Sequence, residues 1–534
     1  MTIQRSIQFY TVLLFMTLGA VAIGMFSATL SLWDDAYMFA RYAHNVLHYG
    51  TVSWNPEGDP TFGLTSLLYL FVAVLPLYAF TENPATTMVL ASYLSGCLFL
   101  ILMACMTLQH FQAGPICKRL AAIAMLLLVT IPYYTVKTHF LTGMDTMFAM
   151  AYLTLYIIVL KWHEKTVSPT STILAGVVGG LMYLVRPDLM LYALAVPGTL
   201  LLFSTDLRSR ISAIWIGLIL LSMMLVMMWF ANLYFNSPVP LPFYAKGLRL
   251  YGDAFYTHYE YKAFWRFKDF IFNYRLLFAL IMISVCTGLR RWWRTISPVE
   301  RGLLMATIVF FVYHLFFVTP VMGMAQRFYY PALPAIIFLT IFSISYIISI
   351  GSSIMQKLES FFLYVPRQIA VIFLLIVLLP FVYQIKEIRL YPFNWNLQKH
   401  YTSTPWMTSY WFGLDNFVLY ENDLIIATTE VGLPSVMHLD KTIIDLTGLN
   451  NTDIAHHGFS AETFFAQHHP DFIYLPHPDY VEMNDQILSN EFFLTQYTYF
   501  SAEILNADMG IALRQDSPYY PDLLAMVESK ANMP

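Results

Sequence analysis

Residues 8–32 read QFYTVLLFMTLGAVAIGMFSATLSL and run without a charge into Trp33-Asp34-Asp35. The run exceeds the roughly 7–15 apolar residues of a secretory leader, so it reads as a retained transmembrane helix ending at a pair of carboxylates. Apolar runs of similar kind recur near 86–108, 119–135, 145–161, 170–185, 189–204, 211–234, 266–288, 300–318, 331–350 and 367–386. That makes eleven expected spans. A shorter run, Leu64 to Leu77, is either a twelfth or a helix lying half in the membrane. The composition agrees: of 534 residues, 58% are hydrophobic and only 12% charged, against about 25% charged in soluble domains. A soluble multidomain enzyme is excluded, and so is a disordered chain, which needs low hydrophobicity and high net charge. A net charge of −4 leaves no basic footprint for nucleic acid. The expected fold is a polytopic α-helical membrane protein of about 11–12 transmembrane helices.

Basic clusters set the direction. Arg5, Lys118/Arg119, Lys161/Lys165, Arg208/Arg210, Arg290/Arg291/Arg294 and Lys357/Arg367 all fall on one side if 64–77 does not cross fully. Cytoplasmic loops carry the excess of Lys and Arg. The chain is therefore expected in a membrane with its tail outside the cytoplasm. Segments 33–85, 136–144, 186–188, 235–265, 319–330 and 387–534 then face outward. This divides the chain into a membrane module, 1–386, and an extracytoplasmic (periplasmic) domain, 387–534. In the latter, Asp423 to Thr429 and Thr442 to Leu446 read as strands, Phe459 to His469 as a helix and Asp471 to Leu475 as a buried strand. That alternation predicts a small α/β domain. The four cysteines, Cys97, Cys105, Cys117 and Cys286, have no metal-ligand spacing. The histidine pairs 456/457 and 468/469 lack a carboxylate arrangement, so no metal site is expected.

The stretch after the first span is the most informative. At helical spacing, Asp34, Tyr37, Arg41, His44 and His48 share one face, while Met38, Phe39, Val46 and Leu47 take the other. This predicts an amphipathic surface helix whose polar stripe faces a cavity or water. Asp34 lies on the stripe; Asp35 is turned from it by about 100°. A carboxylate at the mouth of an apolar bundle suits general-base work on an acceptor hydroxyl, although a helix cap is the commoner use of such a pair.

Asp34-Asp35-Ala36-Tyr37, Arg41-Tyr42-Ala43, Asn45, Gly50, Trp54-Asn55-Pro56 and Gly63-Leu64-Thr65-Ser66-Leu67, in that order, resemble the GT-C membrane glycosyltransferases. The nearest group is the one typified by the terminal mycobacterial arabinofuranosyltransferases. The resemblance continues at Arg186-Pro187-Asp188, Leu241-Pro242-Phe243-Tyr244-Ala245-Lys246 and Arg327-Phe328-Tyr329-Tyr330-Pro331. It reaches the tail at Ala427-Thr428-Thr429-Glu430-Val431-Gly432 and Ile444-Asp445-Leu446-Thr447-Gly448-Leu449-Asn450. Leu67 stands where the family prefers proline, and the Asn-Thr of the family's 241–246 motif is absent.

The resemblance implies transfer of a sugar from a polyprenyl-phosphate donor to a glycan or glycolipid acceptor of the cell envelope, on the outer membrane face. Asp34 is the expected base and Asp35 the second choice. Asp145, at the head of the fourth span, is implied to face the active cavity, or else caps its helix. Lys246, Arg327, Arg41 and Arg186 are the candidate cations for the departing phosphate, with headgroup snorkelling the alternative. Arg186 pairs equally well with Asp188. Asp188 and Tyr244 enter the substrate-binding set with their motifs, and His44 as a hydrogen-bonding residue for the acceptor. One evident base and no second placed nucleophile favour single displacement with inversion. A protein O-mannosyltransferase-like enzyme is a neighbouring possibility. A flippase for lipid-linked sugars is the rival from another class, and it predicts charges at mid-membrane within broken helices.

Overall fold

The computed structural model describes residues 32–110, 139–247, 251, 253–318, 324–350, 423–505 and 509–531. The expected spans at 8–32, 119–135 and 367–386, and the expected domain boundary at 386/387, lie outside the described residues.

The order begins with α1 (Asp34–Tyr49), α2 (Leu67–Thr81) and α3 (Pro84–His110), then α4 (Thr146–Thr166), α5 (Pro169–Val185), α6 (Met190–Phe203) and α7 (Leu207–Phe235). After these come α8 (Leu241–Gly247), α9 (Asp253–Asn273), α10 (Arg275–Cys286), α11 (Pro298–Phe316) and α12 (Leu333–Ile350). Helices α3, α4, α7 and α11, and the stretch Tyr330–Ile347 leading through α12, are long and apolar enough to cross a membrane. Helix α7 leaves Leu225, Trp229 and Leu233 about 60% exposed. A face that apolar is stable only against lipid or another protein surface. The chain is thus built as a helical membrane protein.

The 15-residue α2 is about 22 Å long at 1.5 Å per residue, short of a hydrocarbon core of about 30 Å. The run expected as one span at 266–288 is not straight. It breaks between Asn273 and Arg275, and the two halves meet at 76°. Tyr274, buried against Phe270 and Tyr330, occupies the break. Apolar periodicity continues on both sides, so sequence pattern alone does not show the bend.

The helices pack by close approach and capping. A Cβ on Gly176 would sit 2.8 Å from Ile219, and one on Gly180 would sit 2.8 Å from Met223. These two glycines let α5 lie tightly on α7, as small residues do between membrane helices. Ser297 and Glu300 form a reciprocal capping box at the start of α11. Lys161 of α4 bonds Glu300 at 3.1 Å and also pairs with Glu164. This ion cluster marks one end of the bundle. The opposite end gathers the start of α4, the end of α5, the turn into α6, the end of α11 and the approach to α12. Most of the sequence-predicted site residues are there.

The tail folds as expected in class. Strands β1 (Ile425–Thr428), β2 (Thr442–Asp445), β3 (Phe472–Tyr474), β4 (Tyr497–Phe500) and β5 (Ile511–Arg514) form one sheet in the order β2-β1-β3-β5-β4. The β2-β1-β3 part is parallel, and β5 and β4 join antiparallel. A short helix, α13 (Gly432–Met437), follows β1, and α14 (Ala461–Gln467) precedes β3. The edge strand β2 does not stay open. Ile443 donates its N–H to Asn55 Oδ1 at 2.9 Å and accepts the Trp54 indole N–H at 2.8 Å. An edge paired in this way is closed to other chains.

Candidate functional site

Helix α1 forms over the predicted residues, and Asp34 and Arg41 of its polar stripe are buried beneath the tail, while His48 at its end is exposed. Arg41 is fully buried, and all five of its N–H donors are used. Nε reaches the Trp54 carbonyl at 2.6 Å; Nη1 reaches those of Ser435 (2.6 Å) and His438 (3.0 Å); Nη2 reaches Asn55 Oδ1 (3.1 Å) and the Lys441 carbonyl (2.7 Å). The guanidinium also lies 5.0 Å from the centre of the Trp54 ring. Nothing of it remains for a phosphate, so its expected role as a leaving-group cation is corrected to that of a strut between the helix bundle and the tail.

Asp34 has a similar job. Its Oδ2 accepts the Gly432 N–H at 2.8 Å and its Oδ1 the Leu433 N–H at 2.6 Å. The carboxylate therefore caps α13 from across the interface. The approach is so close that a Cβ on Gly432 would fall 1.9 Å from the Asp34 carbonyl oxygen. Burial pushes the Asp34 carboxyl up to about 6, opposed by the Leu433 amide, with the charge of Asp35 adding to the rise. Tyr42 donates to Asn450 Oδ1 at 3.0 Å, alongside the same contact. The first-loop run that carries the family resemblance is thus largely the surface on which the tail docks.

His44 stands apart from these groups. It bonds the Tyr78 hydroxyl at 3.2 Å and stacks on His48 at 3.9 Å, and burial pushes its imidazole down to about 4. The Tyr78 bond packs it against α2. Tyr244 rests on His456 of the tail, with ring centres 4.4 Å apart.

The remaining candidates do come together. Asp35 Oδ2 is 2.9 Å from Arg327 Nη2. Asp35 Oδ1 has no hydrogen-bond partner among the described residues. Arg327 lies under Trp33 and Phe328, at 5.6 and 5.2 Å, and its Nη1 reaches Met144 Sδ at 3.7 Å. The Lys246 ammonium sits 5.9 Å from the same Phe328 ring. Among the described residues Lys246 has no carboxylate partner. Burial, and then the positive charge of Arg327, push it from 10.5 down to about 8. Next to this group, Arg186 forks onto Asp188 at 3.1 and 2.9 Å and approaches Asp145 Oδ1 at 3.6 Å. Asp188 Oδ2 also bonds His314 Nε2 at 3.1 Å. Asp145 Oδ2 is buried without a hydrogen-bond partner among the described residues. Cations and carboxylates alternate along this end of the bundle, and among the described residues Lys246 has Asp35 and Asp145 near it but no carboxylate in ion-pair contact.

Two residues of the cluster, His314 and Glu430, escaped sequence reasoning. Glu430, in the turn between β1 and α13, brings a third carboxyl toward Asp34 and Asp35. Its backbone N–H is tied to Thr428 Oγ1 at 3.0 Å, and its carboxyl has no hydrogen bond among the described residues. Burial, with the charges of Asp34 and Asp35, pushes it up to about 8. The Leu433 and Gly432 amides oppose the rise at Asp34, and among the described residues Glu430 has no such bond to oppose its own. The signal was its place two residues before Gly432; nothing in the tail's local pattern ties it to α1. Among the described residues no group of three or more His, Cys, Asp or Glu side chains is arranged to hold a metal ion.

The Ala325-Gln326 turn before Arg327 is strained. Both residues have left-handed backbones, φ 47° and 56°, a conformation that costs roughly 1–2 kcal/mol for each L-residue. No protein-family model matches this chain, and neither does any curated protein.

Proposed function

We propose that the chain is an integral membrane glycosyltransferase that moves a sugar from a polyprenyl-phosphate donor to a glycan or glycolipid acceptor at the end of the bundle covered by the tail. The observation that carries this reading is Lys246, a half-buried cation with no carboxylate partner among the described residues, beside the Asp35–Arg327 pair. A charge partly withdrawn from water is favoured where something compensates it, and an anionic headgroup does so. An apolar bundle supplies the surface for a prenyl chain.

In this reading Asp35, rather than Asp34, is the base. Its Oδ1 takes the proton as the acceptor O–H bond breaks and the oxygen attacks the anomeric carbon. The bond from that carbon to the phosphate oxygen breaks in the same displacement, with inversion. The electron pair stays on the phosphate, whose growing charge falls to Lys246 and Arg327. Asp145, Arg186, Asp188 and His314 hold the next layer of charge in place.

Purified full-length chain, incubated with a panel of radiolabelled polyprenyl-phosphate sugars, is expected to release polyprenyl phosphate from one of them. Lys246→Ala should raise the donor KM about tenfold or more, the worth of one charge-assisted hydrogen bond. Turnover of no donor in the panel rejects the reading.

The pH profile is a separate check. Above about 8, Lys246 loses its positive charge and Glu430 acquires a negative one. Both changes disfavour an anionic donor, so the donor KM is expected to rise steeply as pH climbs through that region. A donor KM that stays level from pH about 7 to about 9 contradicts the assignment of these groups to the donor site.

The bend between α9 and α10 favours a second reading, transport of a lipid-linked sugar, because transporters build sites from interrupted helices. In proteoliposomes, transbilayer movement of the donor without sugar release supports that alternative.

A further inference from the structure

Among the described residues, one side chain bonds the backbone of the strained turn before Arg327. His139 is fully buried, its ring set between Tyr330 (4.1 Å) and Trp33 (6.1 Å), and its Nε2 lies 3.0 Å from the Ala325 carbonyl oxygen. A carbonyl only accepts, so Nε2 carries the hydrogen and Nδ1 is the bare nitrogen. Two successive L-residues in the left-handed region persist only where neighbours over-determine them. Here the His139 bond fixes the first of the two. The Tyr329 N–H, bonded to the Gln326 carbonyl at 2.9 Å, closes the turn behind the second. Arg327 lies between these two fixed points and reaches Asp35 Oδ2 at 2.9 Å.

We propose that His139 is a positioning residue whose Nε2–H holds the left-handed Ala325-Gln326 turn and so aims the Arg327 guanidinium at Asp35 and the donor phosphate. The donor part of this statement rests on the glycosyl-transfer reading; the brace does not. Without the imidazole the turn relaxes toward ordinary backbone angles, the arginine root moves, and the ion pair with Asp35 loosens. A displacement of about 1 Å at such a contact is enough to cost activity.

The test uses the full chain in detergent with His139→Ala, His139→Gln and the double variant His139→Ala/Ala325→Gly. In His139→Ala, deuterium uptake over 324–330 is expected to quicken, and the donor KM to rise about tenfold with a smaller change in kcat. Adding Ala325→Gly should return both toward wild type, because glycine adopts the left-handed conformation without the Cβ clash. Glycine at 325 does not fill the space left by the missing ring, so rescue separates loss of the brace from loss of packing. His139→Gln, which keeps an N–H donor, should fall between. Unchanged exchange in His139→Ala, or no recovery on adding Ala325→Gly, overturns the proposal. If exchange responds as expected while no donor is turned over, the glycosyl-transfer reading fails and the brace stands.

Discussion

Arg41→Ala is expected to release the tail from the bundle and to abolish turnover, although residue 41 touches none of the reacting groups. The substitution removes five hydrogen bonds at once; the Trp54 carbonyl keeps the Asn45 amide and the His438 carbonyl keeps the Lys441 N–H, while the buried Ser435 carbonyl loses its guanidinium donor. A hydrogen bond to a charged group is worth about 1.5–3 kcal/mol and a stranded acceptor costs about 1–3 kcal/mol, so a loss of about 2–4 kcal/mol in docking free energy follows when solvent enters part of the gap. Arg41→Lys keeps a charge but not the planar fork, and should retain only a minority of the docking energy. Limited proteolysis reads the result: the tail, 423–531, should be cut or released much faster in Arg41→Ala than in wild type. Equal cleavage rates, with turnover intact, contradict the strut. Loss of turnover is expected because undocking withdraws Glu430 and the Gly432–Leu433 amides from the neighbourhood of Asp34 and Asp35.

This interface explains what the sequence could and could not disclose. Helix α1 was legible because apolar and polar residues alternate at helical spacing across 34–48. The partner of its polar face was not, because periodicity reports that a face is polar and says nothing of whether water or protein satisfies it. Arg41 and Ser435 are 394 positions apart, beyond any local signal. The tail strands were legible for a different reason: Ile425, Ile426, Ile443 and Ile444 are β-branched and flanked by turn residues, a local pattern that tertiary structure had no cause to override.

The helix bundle shows the same division. Spans such as α3, α7 and α11 appear in composition, since lipid selects for apolar residues along their full length. The break at Tyr274 does not, because an apolar helix on either side of a bend looks like one run. The ion cluster was half legible. Arg186 and Asp188 are two residues apart and pair as their spacing allows. Asp35 and Arg327 are separated by 292 positions and meet only because α4, α5, α6 and α12 end on one side of the bundle. Glu430 stood only within the resembling run 427–432, and His139 had no local mark. One is a tail acid in a strand-to-helix turn, the other a histidine between two aromatics, and both gain meaning only from what the fold sets beside them.

The neighbouring carboxylates Asp34 and Asp35 differ in what holds them, and their asparagine variants should fail in different ways. Asp35→Asn removes the proton acceptor while keeping the side chain's size. General-base catalysis contributes about 10²–10⁴ in rate, so kcat should fall by a factor in that range, with the tail still docked and protected from protease. The Arg327 bond keeps an acceptor in the amide oxygen, which limits the structural change. Asp34→Asn places one N–H₂ group against two backbone N–H donors, Gly432 at 2.8 Å and Leu433 at 2.6 Å, and only one of them retains a partner. A buried donor is left without an acceptor, at a cost of about 1–3 kcal/mol. The expected result is faster proteolytic release of the tail and a drop in kcat that follows undocking, partly restored under conditions that favour the compact state, such as added osmolyte. Measured together, kcat and tail protection separate the two roles. If Asp34→Asn loses turnover with the tail fully protected while Asp35→Asn stays active, the base is Asp34, and its two amide bonds are the means by which it is kept ionised in the ground state.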